Sequence, residues 1–392
     1  MARPATVLGF DRNVFLLGIT SLLNDISSEI IYPLLPAFLT TVLGAGPAYI
    51  GLIEGIAEST ASVLKLCSGW LSDRLHRRKG LVLLGYGIAA AVRPLMAIAA
   101  APWHVLVIRF SDRSGKGLRS APRDALLAES SAQPVWGRSF GFHRAMDHLG
   151  AVIGPLIAFA LLSIFAQGYR VTFALAAIPG ALAVAVIGIG VRDRGHRAGP
   201  AAPPLRPRGA LPGSLRAFLL TVLIFTLGNS TDAFLLLRAQ NLGVSVVQLP
   251  LLWVVLHVVK SVSSLPGGSL SDRIPRKWVI LLGWLLYGGV YLGFAVAGSA
   301  QAVWWLFATY GLFFGLTEGT EKALVADLVP ARDRGTAYGF YHLTVGIAAL
   351  PGSLICGALW HWSGPALAFT VGAGLAAVAA VSLLFVAPGG RS

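Results

Sequence analysis

The chain has 392 residues, of which 55% are hydrophobic and only 12% are charged, and its mean hydropathy is +0.72. Soluble domains carry about 25% charged residues, so this composition excludes a soluble globular protein and predicts an all-α membrane protein. The net charge of +14 would suit a nucleic-acid-binding protein. However, the Lys and Arg residues lie in loops between apolar segments, which is typical of membrane topology and excludes a nucleic-acid partner.

Twelve apolar segments of membrane length follow one another along the chain, and each predicts a transmembrane helix. In chain order these helices span residues 12–40, 48–72, 79–100, 103–127, 138–165, 170–191, 214–241, 246–271, 277–298, 301–328, 334–360 and 363–387. Between the sixth and seventh segments, a stretch rich in Pro and Arg has too few apolar residues to pack. We therefore expect a six-helix bundle over 1–191, a cytoplasmic linker over 192–213 and a second six-helix bundle over 214–392.

The basic residues indicate which loops face the cytoplasm. Lys and Arg are concentrated in alternate loops, and the intervening turns carry none apart from Arg170. Because an excess of Lys and Arg marks the cytoplasmic side, we expect both termini and the central linker to be cytoplasmic. The first apolar run has no cleavage site after it, so we expect it to remain as a helix. The protein is predicted to be a monomer in the lipid bilayer of the inner (cytoplasmic) membrane.

A short charged motif occurs twice. The sequence Gly-Trp-Leu-Ser-Asp-Arg-Leu-His-Arg-Arg-Lys begins at Gly69, and Gly-Ser-Leu-Ser-Asp-Arg-Ile-Pro-Arg-Lys begins 199 residues later at Gly268. Segments beginning at Arg123 and Gly137 recur at an offset of 198, so the two halves are related by an internal repeat. The motif resembles the cytoplasmic loop motif of the major facilitator superfamily of secondary transporters. That resemblance implies two pseudo-symmetric six-helix bundles that rock about a site at the membrane midplane.

The repeated motif also predicts a gate. Its gating residues are Gly69, Asp73, Arg74, Arg77 and Arg78 in the first copy, and Gly268, Asp272 and Arg273 in the second. The motif is either a basic turn that only sets topology or a charge latch between the halves. Because neither topology nor the helix dipole requires an Asp, the latch is favoured. We expect the two glycines to permit close helix approach and the first copy to carry more of the gating.

The fourth helix carries the strongest chemical signal, a stripe of five cations. They are Arg109, Arg113, Lys116, Arg119 and Arg123, and their spacing places them within one arc of roughly 120°. Since each would cost about 2.5–3.5 kcal/mol in lipid, the stripe must face a wet cavity or acids such as Asp112. We predict that Arg109, Arg113 and Lys116 bind substrate, and that the last two lie at the interface or in the latch. Arg113-x-x-Lys116-Gly117 resembles the fourth-helix motif of the superfamily, which implies a role in proton coupling, although the family has Gln where this chain has Lys116.

Carboxylates at helical spacing are the predicted proton carriers. Asp25 and Glu29 lie one turn apart on the first helix, Glu54 and Glu58 lie one turn apart on the second, and Asp147 lies on the fifth. Close or desolvated carboxylates can carry a proton near neutral pH. The alternative is that an Arg of the fourth helix neutralises each of them and only holds the helices together.

The resemblance adds residues from two other helices to the predicted substrate site. In the superfamily, helices 1, 4, 7 and 10 line the central cavity. This implies substrate contacts from Asn229 and Asp232 on the seventh helix, and from Glu318, Glu321 and Lys322 on the tenth.

The fifth helix bears on the direction of transport. Gly150-Ala-Val-Ile-Gly154-Pro155 resembles a motif of the drug:proton antiporter branch, although the Gly-Gly that follows it there is absent here. No nucleotide-binding loop, hydrolase constellation or metal-ligand spacing occurs, so we expect neither a cofactor nor an enzyme. We predict proton-coupled efflux of a small organic molecule, with anions among the candidates. The alternative is a proton-coupled uptake symporter for an organic anion, with the fourth-helix cations as its cradle.

Overall fold

A computed structural model describes residues 6–75, 78–130, 136–165, 168–192, 211–329 and 334–386. Within these ranges the chain forms twelve long helical segments, as the apolar pattern predicts. They are α1 (Arg12–Val42), α2 (Pro47–Leu75), α3 (Arg78–Ile98), α4 (Pro102–Glu129), α5 (Trp136–Ile164), α6 (Tyr169–Gly190), α7 (Gly213–Asn241), α8 (Leu249–Arg273), α9 (Arg276–Val296), α10 (Ala300–Asp327), α11 (Arg334–Ser363) and α12 (Pro365–Leu384). A pair of two-residue antiparallel strands, Thr6–Val7 and Phe10–Asp11, precedes α1.

The helix surfaces are suited to lipid. Nine helices in the described part of the chain are long and apolar enough to cross a membrane, and the other three, α2, α4 and α10, carry most of the charges assigned above to sites. Ile98, Val296 and Trp305 are large apolar residues, yet they are 73%, 82% and 71% exposed. Soluble monomers rarely expose wide apolar surfaces. The chain is therefore a multi-pass membrane protein.

The chain divides into two compact units. The first comprises the described residues of Met1–Phe38 and Thr60–Ala202, and the second those of Leu39–Ser59 and Pro203–Ser392. The first half of α2 thus belongs to the second unit, where it packs on α11. A Cβ atom built on Gly55 would lie 2.8 Å from Leu350 Cδ1, and Ser59 Oγ donates to Gly346 O over 2.6 Å. This packing places Glu54 and Glu58 of α2 in the second unit.

In the first unit, α5 lies close against α1. A Cβ atom built on Gly150 would lie 2.8 Å from Asp25 Cβ, and one built on Gly154 would lie 2.8 Å from Glu29 Cβ. Small residues four apart allow two membrane helices to approach closely. The Gly-x-x-x-Gly motif of α5 therefore packs on the two carboxylate-bearing positions of α1.

In the second unit, α7 is broken, whereas the sequence predicts a continuous helix over 214–241. Regular helix ends at Gly228 and resumes at Ala233, and Asn229 has a non-helical φ of −89° and ψ of 84°. Tyr287 OH donates to the Gly228 carbonyl over 3.0 Å, and Ser230 Oγ lies 3.1 Å from Tyr291 OH. Polar partners from neighbouring helices make a break tolerable within a membrane. The apolar pattern of α7 does not reveal these partners, which lie on α9.

The second unit has an aromatic core. Phe225 stacks on Trp284 with 4.6 Å between ring centroids, and Tyr287 stacks on Tyr291 with 4.1 Å. One buried cluster of the first unit is mostly aliphatic and includes Val14, Leu17, Val82, Leu126, Leu127 and Ile187. The aromatic core of the second unit fixes Trp284, whose indole N–H contacts a carboxylate described below.

Candidate functional site

The cationic stripe of α4 lies inside the first unit. Arg109 and Arg119 are only 6% and 4% exposed, and Arg113 and Lys116 are half-buried. The Arg119 guanidinium carbon lies 4.4 Å from the centroid of the Tyr86 ring, a contact that stabilises by about 0.5–2 kcal/mol. Arg119, which we expected at the interface, is therefore buried against an aromatic ring. The structure thus buries two cations of the stripe and half-buries two others.

A buried ion pair joins α3 to α4. Arg93 Nε donates to Asp112 Oδ1 over 2.9 Å, and each side chain is 6% exposed. Arg109 Nη1 lies 3.7 Å from the other oxygen of Asp112. Arg93 Nη1 also donates to the backbone and side-chain oxygens of Asn24 over 2.9 and 3.1 Å, which ties α1 to the same network. Asp112 thus compensates two cations.

Sequence reasoning missed Arg93. A signal was present, because an Arg followed by Pro inside an otherwise apolar segment is a charged residue at membrane depth, and such residues are rarely without a partner. What the sequence does not reveal is that the partner lies on another helix, at Asp112.

Asp25 of α1 lies within electrostatic range of two cations of α4. Asp25 accepts a hydrogen bond from Asn24 Nδ2 over 2.9 Å, and the charges of Lys116 and Arg119 act on it electrostatically. The charge of one acid, Asp147 of α5, also acts on Asp25. Glu29 is half-buried, one turn further along α1. The structure therefore brings the predicted proton carrier Asp25 together with part of the predicted substrate stripe.

Asp147 is held by three groups on α1 and α5. It accepts a hydrogen bond from Ser21 Oγ. Its second oxygen lies 3.5 Å from His143 Nδ1 and 3.6 Å from Arg144 Nη1. His143 is buried whereas Arg144 is exposed, so Asp147 joins the interior of the unit to its surface.

The second unit holds a separate group of acids. Tyr310 OH donates to Asp232 Oδ1 over 2.7 Å. Lys260 of α8 acts on Asp232 electrostatically, as do Glu54 and Glu58, and Glu54 is only 1% exposed. Asp232 lies at the break in α7, with Asn229 three residues before it. The predicted site residues of α2 and α7 are thus neighbours within one unit.

The three charged residues predicted on α10 do not form one group. Glu318 is shared between two cations, at 3.1 Å from Lys260 Nζ and 3.8 Å from Lys322 Nζ. Glu321 accepts instead from Trp284 Nε1 over 2.9 Å and from Tyr341 OH over 2.6 Å. Glu321 therefore contacts α9 and α11, whereas Glu318 pairs with Lys260 of α8 and with Lys322 one turn further along α10.

Much of the gating motif lies outside the described residues. Arg77 lies wholly outside them, and so do the side chains of Asp73, Arg74 and Asp272. The surroundings of Gly69 are also outside the described part of the chain. Arg273 is exposed. A Cβ atom built on Gly268 would meet no atom of the described residues within 4 Å, so the expected close approach at this glycine is not found among them. Gly267 makes that approach instead, against the Gly315 carbonyl.

The basic residues at the end of each motif copy bind within their own unit. Arg78 Nη1 lies 2.9 Å from Glu129 Oε1, and Arg276 Nε lies 2.8 Å from Asp327 Oδ2. Lys79 Nζ donates to the carbonyl of Gly188 over 2.9 Å, at the end of α6. Lys277 Nζ likewise donates to two carbonyls at the end of α12. A cation at a helix C-terminus is favourable, so each unit ties three helix ends together in the same way.

Comparisons with known proteins identify the family. The sequence matches the model of the Major Facilitator Superfamily over residues 17–237 and 217–392. It is 36% identical over 384 residues to the uncharacterised MFS-type transporter MJ1317 of Methanocaldococcus jannaschii, covering 96% of this chain and 95% of that one. Over 148 residues, 38% of this chain and 37% of the other, it is 29% identical to the multidrug resistance protein MdtH of Yersinia enterocolitica.

A solved structure agrees with this family. The fold is similar to that of a mutant of the peptide transporter POT, with a TM-score of 0.80 and 15% identity over 98% of this chain and 96% of that one. The resemblance carried by the repeated loop motif is thereby confirmed, together with the twelve-helix architecture. The chain belongs to the Major Facilitator Superfamily and is a membrane transporter rather than an enzyme.

Proposed function

We propose that this transporter exports a small organic molecule in exchange for protons, with organic anions among its substrates, and that it works by alternating access. The observation that carries the proposal is the position of Asp25. Lys116 and Arg119 of α4 and Asp147 of α5 lie within electrostatic range of its carboxylate. Because the charge of a carboxylate determines how strongly nearby cations are compensated, a proton at Asp25 changes the charge that α4 presents to a substrate.

The residues are proposed to act in three groups. Substrate contacts come from Arg109, Arg113, Lys116, Asn229, Asp232, Glu318 and Lys322, with Glu321 reconsidered below. Proton transfer involves Asp25, Glu29, Glu54, Glu58 and Asp147. Gating involves Gly69, Asp73, Arg74, Arg77, Arg78, Gly268, Asp272 and Arg273. The break in α7 supports its place in the substrate group, because discontinuous helices supply binding groups in many transporters.

Two observations support export as the direction. The Gly150–Pro155 segment resembles the antiporter motif, and in the structure its glycines pack against Asp25 and Glu29. The partial similarity to MdtH, a multidrug resistance protein, points the same way.

Inside-out membrane vesicles test the proposal. A pH gradient, acid inside, is imposed and monitored with a pH-sensitive dye while a panel of organic acids and lipophilic drugs is added. We expect at least one compound to dissipate the gradient in vesicles that contain the wild-type protein, but not in vesicles that contain Asp25→Asn. If both proteins respond equally to every compound that acts on the wild type, Asp25 does not couple transport to protons.

Uptake of an organic anion together with a proton is the second candidate. The specific observation in its favour is the row of buried and half-buried cations along α4. Right-side-out vesicles with acid outside distinguish the two candidates. Accumulation of an organic acid there, without any effect in inverted vesicles, would favour uptake over export.

We further propose that the protein lies in the inner membrane as a monomer with both termini in the cytoplasm. We also propose two six-helix bundles, over 1–191 and 214–392, that are joined by the linker 192–213. The charge pattern of the loops supports the orientation. Labelling of introduced cysteines in the linker with a membrane-impermeant reagent tests it. Labelling in inverted vesicles, but not in intact cells, is expected.

A further inference from the structure

Glu321 is a buried carboxylate that is bonded by neutral groups. It is 8% exposed, and each of its oxygens accepts one hydrogen bond, from Trp284 Nε1 over 2.9 Å and from Tyr341 OH over 2.6 Å. Trp284 is fully buried and Tyr341 is 7% exposed. The three side chains belong to α9, α10 and α11, so one carboxylate links three helices of the second unit.

The nearby charges are engaged elsewhere. Within α10, Lys322 lies 3.8 Å from Glu318, and both act on Glu321 only as neighbouring charges. On α8, Lys260 pairs with Glu318 at 3.1 Å. From α9 and α11 the groups that face Glu321 are the indole and the phenol described above. Within the described residues no cation is paired with Glu321, and an ionised carboxylate that is buried without a paired cation is costly, so this one is poised to change its charge.

The internal repeat places an opposite charge at the same position in the first unit. At the offset of 198, Glu321 corresponds to Arg123, and Lys322 corresponds to Asp124. Trp284 and Tyr341 correspond to Tyr86 and His143. Arg123 donates to Asp124 over 2.9 Å, and its charge acts on Tyr86 and His143. The corresponding residues of the first unit therefore also come from three helices and interact electrostatically.

The two sets of corresponding residues differ in what they can do. Arg does not lose its proton in proteins, so the charge at Arg123 is permanent. Glu321 can gain a proton. Of the two sets, only the one in the second unit can change its charge through the residue at this position.

We propose that Glu321 is a proton-binding site of the transport cycle rather than a substrate contact. This deepens the proposed function and rests on it, because it names a group that carries the coupling ion. When Glu321 is ionised, the Tyr341 hydroxyl donates to a charged oxygen, and such bonds are about twice as strong as neutral ones. When a proton binds at Oε2, that oxygen becomes a donor, the bond from Tyr341 is lost or reversed, and α11 is less firmly tied to α10.

Trp284 provides a direct reporter, because its indole N–H is bonded to the carboxylate. The emission of the purified protein is measured in detergent, without substrate, across the range in which carboxylic acids and histidines titrate. Trp103 and Trp253 also contact histidine rings, so the contribution of Trp284 is taken as the difference between the wild type and Trp284→Phe.

We expect this difference in emission to change with pH in the wild-type background and to be independent of pH in the Glu321→Gln background. Glu318→Gln is the matched control, since it removes a neighbouring carboxylate of the same helix and should leave the titration in place. Tyr341→Phe removes one bond to the carboxylate and should displace the midpoint. Cys356 of α11 is 6% exposed, and its protection from a thiol reagent confirms that each variant is folded.

A contribution of Trp284 that titrates equally in Glu321→Gln, or that does not titrate in the wild-type background, would overturn the proposal. Because this measurement needs no transport, its failure is distinct from failure of the proposed function. A titrating Glu321 in a protein that moves no protons in vesicles would refute coupled export but retain the proton site. Coupled transport without this titration would support coupled export and refute the proton site at Glu321.

Discussion

Removing one partner of the Arg93–Asp112 pair should destabilise the first unit strongly. Both side chains are 6% exposed and are joined by a 2.9 Å bond, and Arg93 also makes two bonds to Asn24. In Arg93→Met, Asp112 loses the 2.9 Å pair and keeps Arg109 at 3.7 Å together with the charges of Arg113 and Arg119. Breaking a buried ion pair by removing one partner costs about 3–5 kcal/mol. At about 2–4 °C per kcal/mol for a body of 150–250 residues, the melting temperature should fall by roughly 6–20 °C.

The assay is thermal unfolding in detergent, followed by size-exclusion chromatography of the heated protein. Arg144→Met is the control, because Arg144 is 62% exposed in its side chain and lies 3.6 Å from Asp147. Pairs with a solvent-exposed cation contribute about 0–1 kcal/mol, and Asp147 keeps Ser21 and His143 as neighbours, so this variant should melt close to the wild type.

The double variant Arg93→Met/Asp112→Leu should be more stable than the sum of its single variants predicts. Replacing a buried ion pair by apolar groups is often close to neutral, and residues in direct contact couple by about 0.5–3 kcal/mol. If Arg93→Met melts no lower than Arg144→Met, or if the double variant is strictly additive, the pair does not hold α3 to α4.

Two further predictions concern packing. Gly150→Ala should lower the melting temperature, because its Cβ would lie 2.8 Å from Asp25 Cβ and overpacking costs about 1–3 kcal/mol. Gly80→Ala is the control, because a Cβ at this position would meet no described atom within 4 Å, and it should be neutral or stabilising by up to about 1 kcal/mol. Equal melting temperatures of the two variants would contradict the close packing of α5 on α1. A thiol reagent should label Cys67 in the native protein but Cys356 only on heating, since the first is exposed and the second buried; early labelling of both, detected by mass spectrometry, would contradict the packing of α11.

The sequence predicted the number and order of the helices because that information is local. A membrane-length apolar run signals a span whatever its neighbours are, and all twelve predicted segments form helices in the described ranges. The break in α7 was not predictable in this way. It depends on Tyr287 and Tyr291, which lie about sixty residues further along the chain and supply polar partners at the break.

The candidate site was predicted in part. Spacing alone indicated that the α4 cations share a face, and the structure buries Arg109 and Arg119 within the first unit. Spacing could not separate Glu321 from Glu318, because both are acids of one helix near Lys322. Which of them meets a cation depends on the helices that pack on each face.

By itself, the sequence determined that the chain crosses a membrane many times, that its halves are related, and which loops are basic. These properties follow from hydropathy, repetition and charge along the chain. Only the tertiary structure decided which charge meets which partner: Arg93 with Asp112, and Glu321 with an indole and a phenol. The physical reason is that such meetings depend on the rotation and distance of packed helices, which are set by contacts such as Gly150 against Asp25 between residues far apart in the chain.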